Sequence, residues 1–95
     1  MPWRVVFHEA VEGDLRAIGD AEARVILKVI RDRIQNGEPD KLGKALHGQL
    51  AGYRRIRTGS TRIVYRVNVQ IVEVLVVAIG QRRDSEVYTV AGKRV

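Results

Sequence analysis

Three strand-like segments joined by very short connections constrain the fold of this chain most strongly. Residues 53–57 and 61–67 flank a turn at Gly59-Ser60, and an apolar run at 71–79 follows a second turn at 68–70. Connections this short favour antiparallel neighbours, because a parallel pair needs a crossover of a dozen or more residues. The last segment is apolar on both of its alternating faces, which is typical of a central strand. The sequence therefore predicts three consecutive antiparallel strands.

The N-terminal part of the chain predicts one more strand and a pair of helices. Residues 3–8 alternate with period two, as expected for a strand. Residues 9–18 and 20–36 carry apolar stripes at helical spacing, and Gly19 between them ends the first helix. Because the link is so short, we expect an antiparallel helical hairpin that lies on the sheet.

The fold class follows from these elements. We expect an α+β fold with a four-stranded, mainly antiparallel sheet, the N-terminal helical hairpin packed on it and a short C-terminal helix. Residues 38–52 are polar and rich in glycine and predict a loop, while residues 85–94 fit a short helix or a loose tail. Ninety-five residues suit a single domain, covering residues 1–95.

The charge of the chain is concentrated in one half. Residues 1–52 contain 8 Lys/Arg and 8 Asp/Glu, whereas residues 53–95 contain 9 and 3, so the net charge of +6 lies in the second half. This distribution indicates an anionic partner, either a nucleic acid or an acidic protein. The chain has no cysteine, which excludes disulfides and thiolate metal sites, and no apolar run reaches the ~18 residues of a membrane span. We expect a cytoplasmic protein without membrane association.

Arginines recur on one face of the predicted sheet. By alternation this face carries Arg55, Arg57, Arg62 and Arg66, with Arg82 and Arg83 where the apolar run ends. Arg54 should lie on the opposite face with Ile56, unless a bulge or an edge position releases it. A guanidinium is always charged and grips phosphate with two hydrogen bonds. Crowded arginines repel one another unless an anion offsets the repulsion, so we expect this face to bind RNA.

Catalysis on RNA would need proton transfer as well as positive charge. Two histidines are the usual pair, but His8 and His47 are more often surface residues, and their spacing suggests no metal site. Tyr88 and Arg82 are the remaining candidates, although a phenol and a guanidinium exchange protons poorly near neutral pH. Electrostatic stabilisation and in-line positioning would carry most of any rate enhancement. An equally weighted interpretation makes Tyr88 an amphipathic residue that pins the C-terminal segment.

The order and spacing of several motifs resemble the RelE/ParE toxin superfamily. The motifs lie at residues 46–57, 61–65 and 80–88, and the last of them looks specifically like RelE. The similarity covers essentially the whole chain. It implies the toxin of a type II toxin–antitoxin system with a RelE-like fold.

The resemblance also implies an activity and partners. RelE toxins are ribosome-dependent mRNA interferases, metal-independent endoribonucleases that cut mRNA in the A site of the 30S subunit and so inhibit translation. The 2′-hydroxyl attacks, leaving a 2′,3′-cyclic phosphate and a 5′-hydroxyl. A RelB-like antitoxin neutralises the toxin, which reaches operator DNA only through the toxin–antitoxin complex, and no cofactor is implied. The alternative is a ParE-like gyrase inhibitor without nuclease activity, although ParE proteins generally lack the closing set of Arg82 and Tyr88.

Finally, the resemblance implies roles for single residues. Arg62 matches the arginine that stabilises the transition state, Arg82 the proposed general acid, and Tyr88 the proposed general base and base-stacking platform. Arg55 falls where RelE carries a catalytic lysine, and Tyr53 departs from the pattern at a second lysine position. The remaining arginines expected to bind RNA are Arg54, Arg57, Arg66 and Arg83.

Overall fold

The computed structural model describes residues 2–81 and 83–95, in which five strands form one mixed sheet with helices on both faces. In chain order the elements are β1 (Arg4–Phe7), α1 (Val11–Ile18), α2 (Asp20–Val29), β2 (Lys44–Ala45), β3 (Tyr53–Thr58), β4 (Thr61–Asn68), β5 (Glu73–Gly80) and α3 (Asp84–Gly92). A π-helical turn, Ile30–Gln35, extends α2, and a 3₁₀ turn, Gly48–Leu50, follows β2. The α+β class predicted from the sequence is confirmed.

The sheet has the strand order β1-β5-β4-β3-β2. Strands β2 to β5 form an antiparallel run, while β1 lies parallel to β5 at the opposite edge. The prediction of four strands is therefore one strand short, and the prediction of a loop at 38–52 is wrong for Lys44–Ala45. A strand of two exposed residues carries no hydrophobic alternation, so its pairing with β3 left no signal in the sequence.

Strands β3 and β4 form a tight hairpin around the predicted turn. Thr58 pairs with Thr61, and Gly59 between them adopts a φ of +58°, a conformation that glycine reaches without steric cost. Strand β5 departs from strict alternation because it contains a bulge: Val64 pairs with Ala78, but Tyr65 pairs with Val76. The extra residue shifts the faces of β5, so Ala78 no longer shares a face with Val76 as alternation predicts.

The helical hairpin covers one face of the sheet, as predicted. Ile26, Ile30 and Ile34 recur at intervals of four residues and are fully or almost fully buried. They pack with Val11 of α1 against a set of strand residues, namely Ile56, Ile63, Tyr65, Val74, Val76 and Ile79. We call this the hairpin face of the sheet.

The opposite face, which we call the α3 face, is only partly covered. Val87 and Ala91 of α3 pack with Leu46, Leu50, Val64, Val77 and Ala78 in a second buried cluster. The short C-terminal helix expected from the sequence is thus present and docked on the sheet. No helix in the described parts of the chain combines the length and apolar character needed to cross a membrane.

Candidate functional site

A row of basic side chains lies on the α3 face. Ile56 points into the hairpin-face core, so its neighbours Arg55 and Arg57 stand on the other side of β3. The strand register places Arg57 opposite Arg62 of β4, and Arg55 opposite Lys44 of β2. Like charges directly opposite each other in a sheet are destabilising. Two such pairs side by side give this face a high density of positive charge.

Helix α3 brings a tyrosine to this surface. The guanidinium Nε of Arg55 donates a hydrogen bond of 3.2 Å to the phenol oxygen of Tyr88. The ring of Tyr88 is half-buried against the cluster that anchors α3. Of the four residues to which the sequence assigned catalytic roles, Arg55 and Tyr88 are therefore in contact, and Arg62 lies on the same face of the sheet.

Arg62 lies beside the β3–β4 turn. Its Nη1 donates to the backbone oxygen of Ser60 at 2.7 Å, and its strand partners are Arg57 and Gly80. Arg82, the fourth catalytic candidate, falls outside the described residues. Arg83 is exposed and occupies the N-cap position of α3.

Two of the arginines expected to bind RNA lie away from this cluster. Arg66 is exposed on the α3 face, but it sits four residues along β4 from Arg62, about 13 Å at the rise of a strand. Arg54 lies on the hairpin side, where Nε donates to the Leu42 oxygen at 2.7 Å and Nη2 to the Gly43 oxygen at 3.4 Å. Strand β3 pairs regularly with β4 at Arg54, so no bulge turns this side chain to the α3 face. The side chain binds the loop instead.

Arg54 and its strand partner Tyr65 hold the loop that leads into β2. The hydroxyl of Tyr65 donates to the backbone oxygens of Pro39 at 2.9 Å and Leu42 at 3.2 Å. Burial raises the pKa of Tyr65 above its usual value of 10.0, and the nearby Arg54 guanidinium opposes part of that rise. At the end of this loop a Cβ on Gly43 would lie 2.3 Å from the Arg55 backbone oxygen, so only glycine permits the approach.

A groove of about 400 Å³ adjoins Tyr88 between β2, the 3₁₀ turn and α3. Its lining includes Lys44, Leu46, His47, Leu50 and Tyr88. Sequence reasoning missed Lys44 as a member of the site, because its position opposite Arg55 depends on a strand that the sequence did not predict.

Comparison with protein families shows the class to which this chain belongs, the toxins of type II toxin–antitoxin systems. The family model described as the ParE toxin of the type II toxin–antitoxin system parDE matches residues 5–86. The chain belongs to this family, within the RelE/ParE superfamily, which confirms the resemblance seen in the sequence. A comparison with curated protein sequences finds no match.

Solved structures of RelE toxins are similar to this one. A double mutant of the E. coli toxin RelE in its free state is 27% identical, with a TM-score of 0.78 over 100% of this chain and 99% of that chain. The same mutant in complex with a peptide of the antitoxin RelBc is 27% identical, with a TM-score of 0.69 over the same shares. The toxin–antitoxin complex RelBE2 of Mycobacterium tuberculosis, at 24% identity and a TM-score of 0.79, covers 86% of this chain and 100% of that chain and shares the fold.

Proposed function

We propose that this toxin is a metal-independent, ribosome-dependent endoribonuclease that cuts mRNA in the A site and thereby inhibits translation. One observation carries the proposal: the face of the sheet that bears two like-charge strand pairs, Lys44 with Arg55 and Arg57 with Arg62, also holds the phenol of Tyr88, which accepts a hydrogen bond from Arg55. The phosphates of RNA are attracted to such a basic surface, and the 2′-hydroxyl of RNA is a nucleophile close to the phosphorus that it attacks. The likeness to the E. coli RelE structures supports the same assignment.

The proposed reaction is a transesterification within the RNA. The 2′-oxygen attacks the adjacent phosphorus and loses its proton to the Tyr88 oxygen, which acts as phenolate in this step. The bond from phosphorus to the 5′-oxygen breaks, and the Arg82 guanidinium gives that oxygen a proton. Proton exchange with solvent then restores both side chains. The products are a 2′,3′-cyclic phosphate and a 5′-hydroxyl. The roles of Tyr88 and Arg82 come from the resemblance to RelE, and the contact of Tyr88 with Arg55 is compatible with them.

Charge stabilisation is the main contribution that we assign to the arginines. Arg62 lies opposite Arg57, so a phosphate seated between the two would meet guanidinium groups from neighbouring strands. The pentavalent transition state carries more negative charge than the substrate, and fixed donors aimed at it are worth most at that moment. Arg55 stands in place of a lysine and stays charged, so we assign it electrostatic support and orientation of Tyr88 rather than proton transfer.

The remaining basic residues would guide the RNA. We assign this role to Lys44, Arg57, Arg66 and Arg83 and leave out Arg54, whose guanidinium binds the loop carbonyls of Leu42 and Gly43. The partners of the proposed function are the 30S A site, mRNA and a RelB-like antitoxin, with operator DNA contacted only through the toxin–antitoxin complex. Such a reaction takes place where ribosomes translate, in the cytoplasm.

A second candidate function has an observation of its own in its favour. The matching family model carries the ParE name, and a ParE-like toxin would inhibit DNA gyrase as a protein–protein inhibitor. We place it second because a gyrase inhibitor has no need of a phenol held by a guanidinium on a basic sheet.

Expression of the chain without antitoxin separates the two functions. The proposal predicts growth arrest, with mRNA cut inside translated regions and the cuts mapped by primer extension. Arg62→Ala expressed to the same level is the matched control and should leave the transcripts intact. Intact mRNA together with gyrase-linked DNA breaks in arrested cells would replace the first function with the second.

A further inference from the structure

A partly buried ion pair joins α1 to the end of α3. Nη1 and Nη2 of Arg94 donate to the two carboxylate oxygens of Asp14 at 2.6 Å and 2.9 Å. The two side chains are only 16% and 14% exposed. Bidentate pairs of this kind are among the strongest and most directional hydrogen-bonded contacts in proteins. In contrast, Arg16 and Glu12 of α1 form a pair in which both side chains are largely exposed.

The same two side chains complete the backbone hydrogen bonding of β5. Strand β1 accompanies β5 only as far as the pair of Phe7 with Val76. Beyond that point the backbone N–H of Ile79 donates to Asp14 at 3.0 Å, and the backbone oxygen of Val77 accepts from Arg94 at 3.0 Å. The ion pair thus takes the place of the missing strand at the bulge, and it fixes α1, β5 and α3 to one another.

Helix α3 depends on such contacts for its position. It has nine residues and no side-chain hydrogen bond at its N-cap, and an isolated helix of this length is marginal in water. Val87 and Ala91 hold its inner face, and the Gln49 side-chain amide donates to the Gly92 oxygen at 3.0 Å. Arg94 follows the last turn, so the ion pair secures the end of the helix that lies farther from the sheet's arginines.

We propose that Asp14 and Arg94 are positioning residues that keep Tyr88 in contact with Arg55. They touch neither the RNA nor the reacting atoms; they set the docking angle of the helix that carries the phenol. The consequence for cleavage rests on the proposed function, whereas the consequence for the position of Tyr88 does not.

Fluorine NMR of the full chain labelled with 3-fluorotyrosine tests the position directly. The chain contains three tyrosines, and the Tyr88 signal is identified by its loss in Tyr88→Phe. In Arg94→Gln and in Asp14→Asn we expect the Tyr88 signal to shift or broaden while that of the buried Tyr65 stays in place. Arg16→Gln, which removes the exposed pair on the same helix, should leave all three signals unchanged.

An unchanged Tyr88 signal in both variants overturns the proposal. If Arg94→Gln fails to fold, Arg94→Lys decides the question, because lysine keeps the charge but cannot form the bidentate contact. A Tyr88 signal in Arg94→Lys that is displaced from its wild-type position supports the inference, and one that coincides with the wild type overturns it.

Cleavage kinetics give a second readout. At saturating ribosome complexes we expect Arg94→Gln to lower kcat at least tenfold with little change in KM, and to add nothing in a Tyr88→Phe background. A further loss in that background would mean that Arg94 acts on something other than Tyr88, which overturns the proposal. If the wild-type chain cleaves no RNA at all, the proposed function fails while the NMR result still decides the inference.

Discussion

The two faces of the sheet are built from the same strands but have opposite properties. On the hairpin face Ile26, Ile63 and Tyr65 are 0% exposed, and two helices close the surface. On the α3 face one short helix covers the centre, and Arg57 and Arg66 remain in solvent. Successive residues of β4 point to alternate faces. The hairpin face carries the larger core, while the α3 face combines a smaller core with basic side chains.

Arg54 and Arg55 show how the face of the sheet determines the hydrogen-bond partners of an arginine. They are neighbours on β3, yet Arg54 satisfies its donors on loop carbonyls while Arg55 donates to the phenol of Tyr88. A guanidinium next to an apolar core must find acceptors, since an unpaired charge there is costly. The same residue type therefore serves structure on one face and, we propose, chemistry on the other.

The largest expected effect is on the hairpin face. Ile63→Ala removes a fully buried side chain of β4 and should lower the free energy of unfolding by about 2–5 kcal/mol. Urea denaturation followed by circular dichroism measures it. A loss below about 1 kcal/mol would show that this face tolerates a cavity and that the contrast between the faces is smaller than described.

A substitution at the neighbouring residue, which lies on the α3 face, should reduce activity and leave stability almost unchanged. Arg62→Ala is expected to lower the cleavage rate about 100-fold, equivalent to about 3 kcal/mol of transition-state stabilisation, since the lost contact acts mainly on the transition state. Its free energy of unfolding should change by no more than about 0.5 kcal/mol. Single-turnover cleavage of programmed ribosomes and urea denaturation of the same preparation provide the two numbers. Full activity in this variant would mean that the site lies elsewhere.

A third effect, smaller in size, concerns the buried phenol of the hairpin face. Tyr65→Phe leaves the oxygen of Pro39 without its hydroxyl donor and that of Leu42 with Arg54, and it should cost about 1–3 kcal/mol at pH 7. The pKa of Tyr65 is raised in the folded state, so the folded chain holds this proton more tightly than the unfolded chain. This contribution is complete below pH 10 and is lost as the pH rises through 10 toward the folded-state value.

Urea denaturation between pH 7 and pH 11 tests the direction. The free energy of unfolding of the wild type should fall more steeply above pH 10 than that of Tyr65→Phe, because only the wild type carries the displaced titration. The two proteins differ only at residue 65, so the difference between their curves reports on Tyr65. Parallel curves would show that burial of Tyr65 does not couple its proton to folding.

How far the sequence predicted this structure depends on the face. The helical hairpin, the antiparallel run and the Gly59 turn followed from periodicity and turn chemistry, which are local properties. The β2 strand and the bulge in β5 did not, because each depends on a partner that is distant in sequence. The bulge alone moves Ala78 to the other face. Local sequence patterns thus predicted the hairpin face better than the α3 face.

The candidate site also combines features that local sequence patterns predicted with features that they could not predict. Alternation correctly placed Arg55, Arg57 and Arg62 on one face, but it could not show that α3 would bring Tyr88 within 3.2 Å of Arg55. Lys44 was missed because its register with Arg55 exists only once β2 forms. Arg54 was recognised as breaking the pattern, and its actual partners are carbonyls of a loop whose path no periodicity describes.

The smallest expected effect tests whether several basic residues of the α3 face each contribute to RNA binding. Arg57→Ala removes an exposed charge opposite Arg62 and should weaken binding to ribosome complexes by less than about 1 kcal/mol, while the dependence on salt falls by about one phosphate contact. Arg24→Ala on the outer side of α2 removes the same charge away from the site and is the matched control. Binding measured at several salt concentrations should separate the two variants. If the affinity of both variants depended equally on salt, net charge alone would attract RNA. The α3 face would then not be the RNA interface.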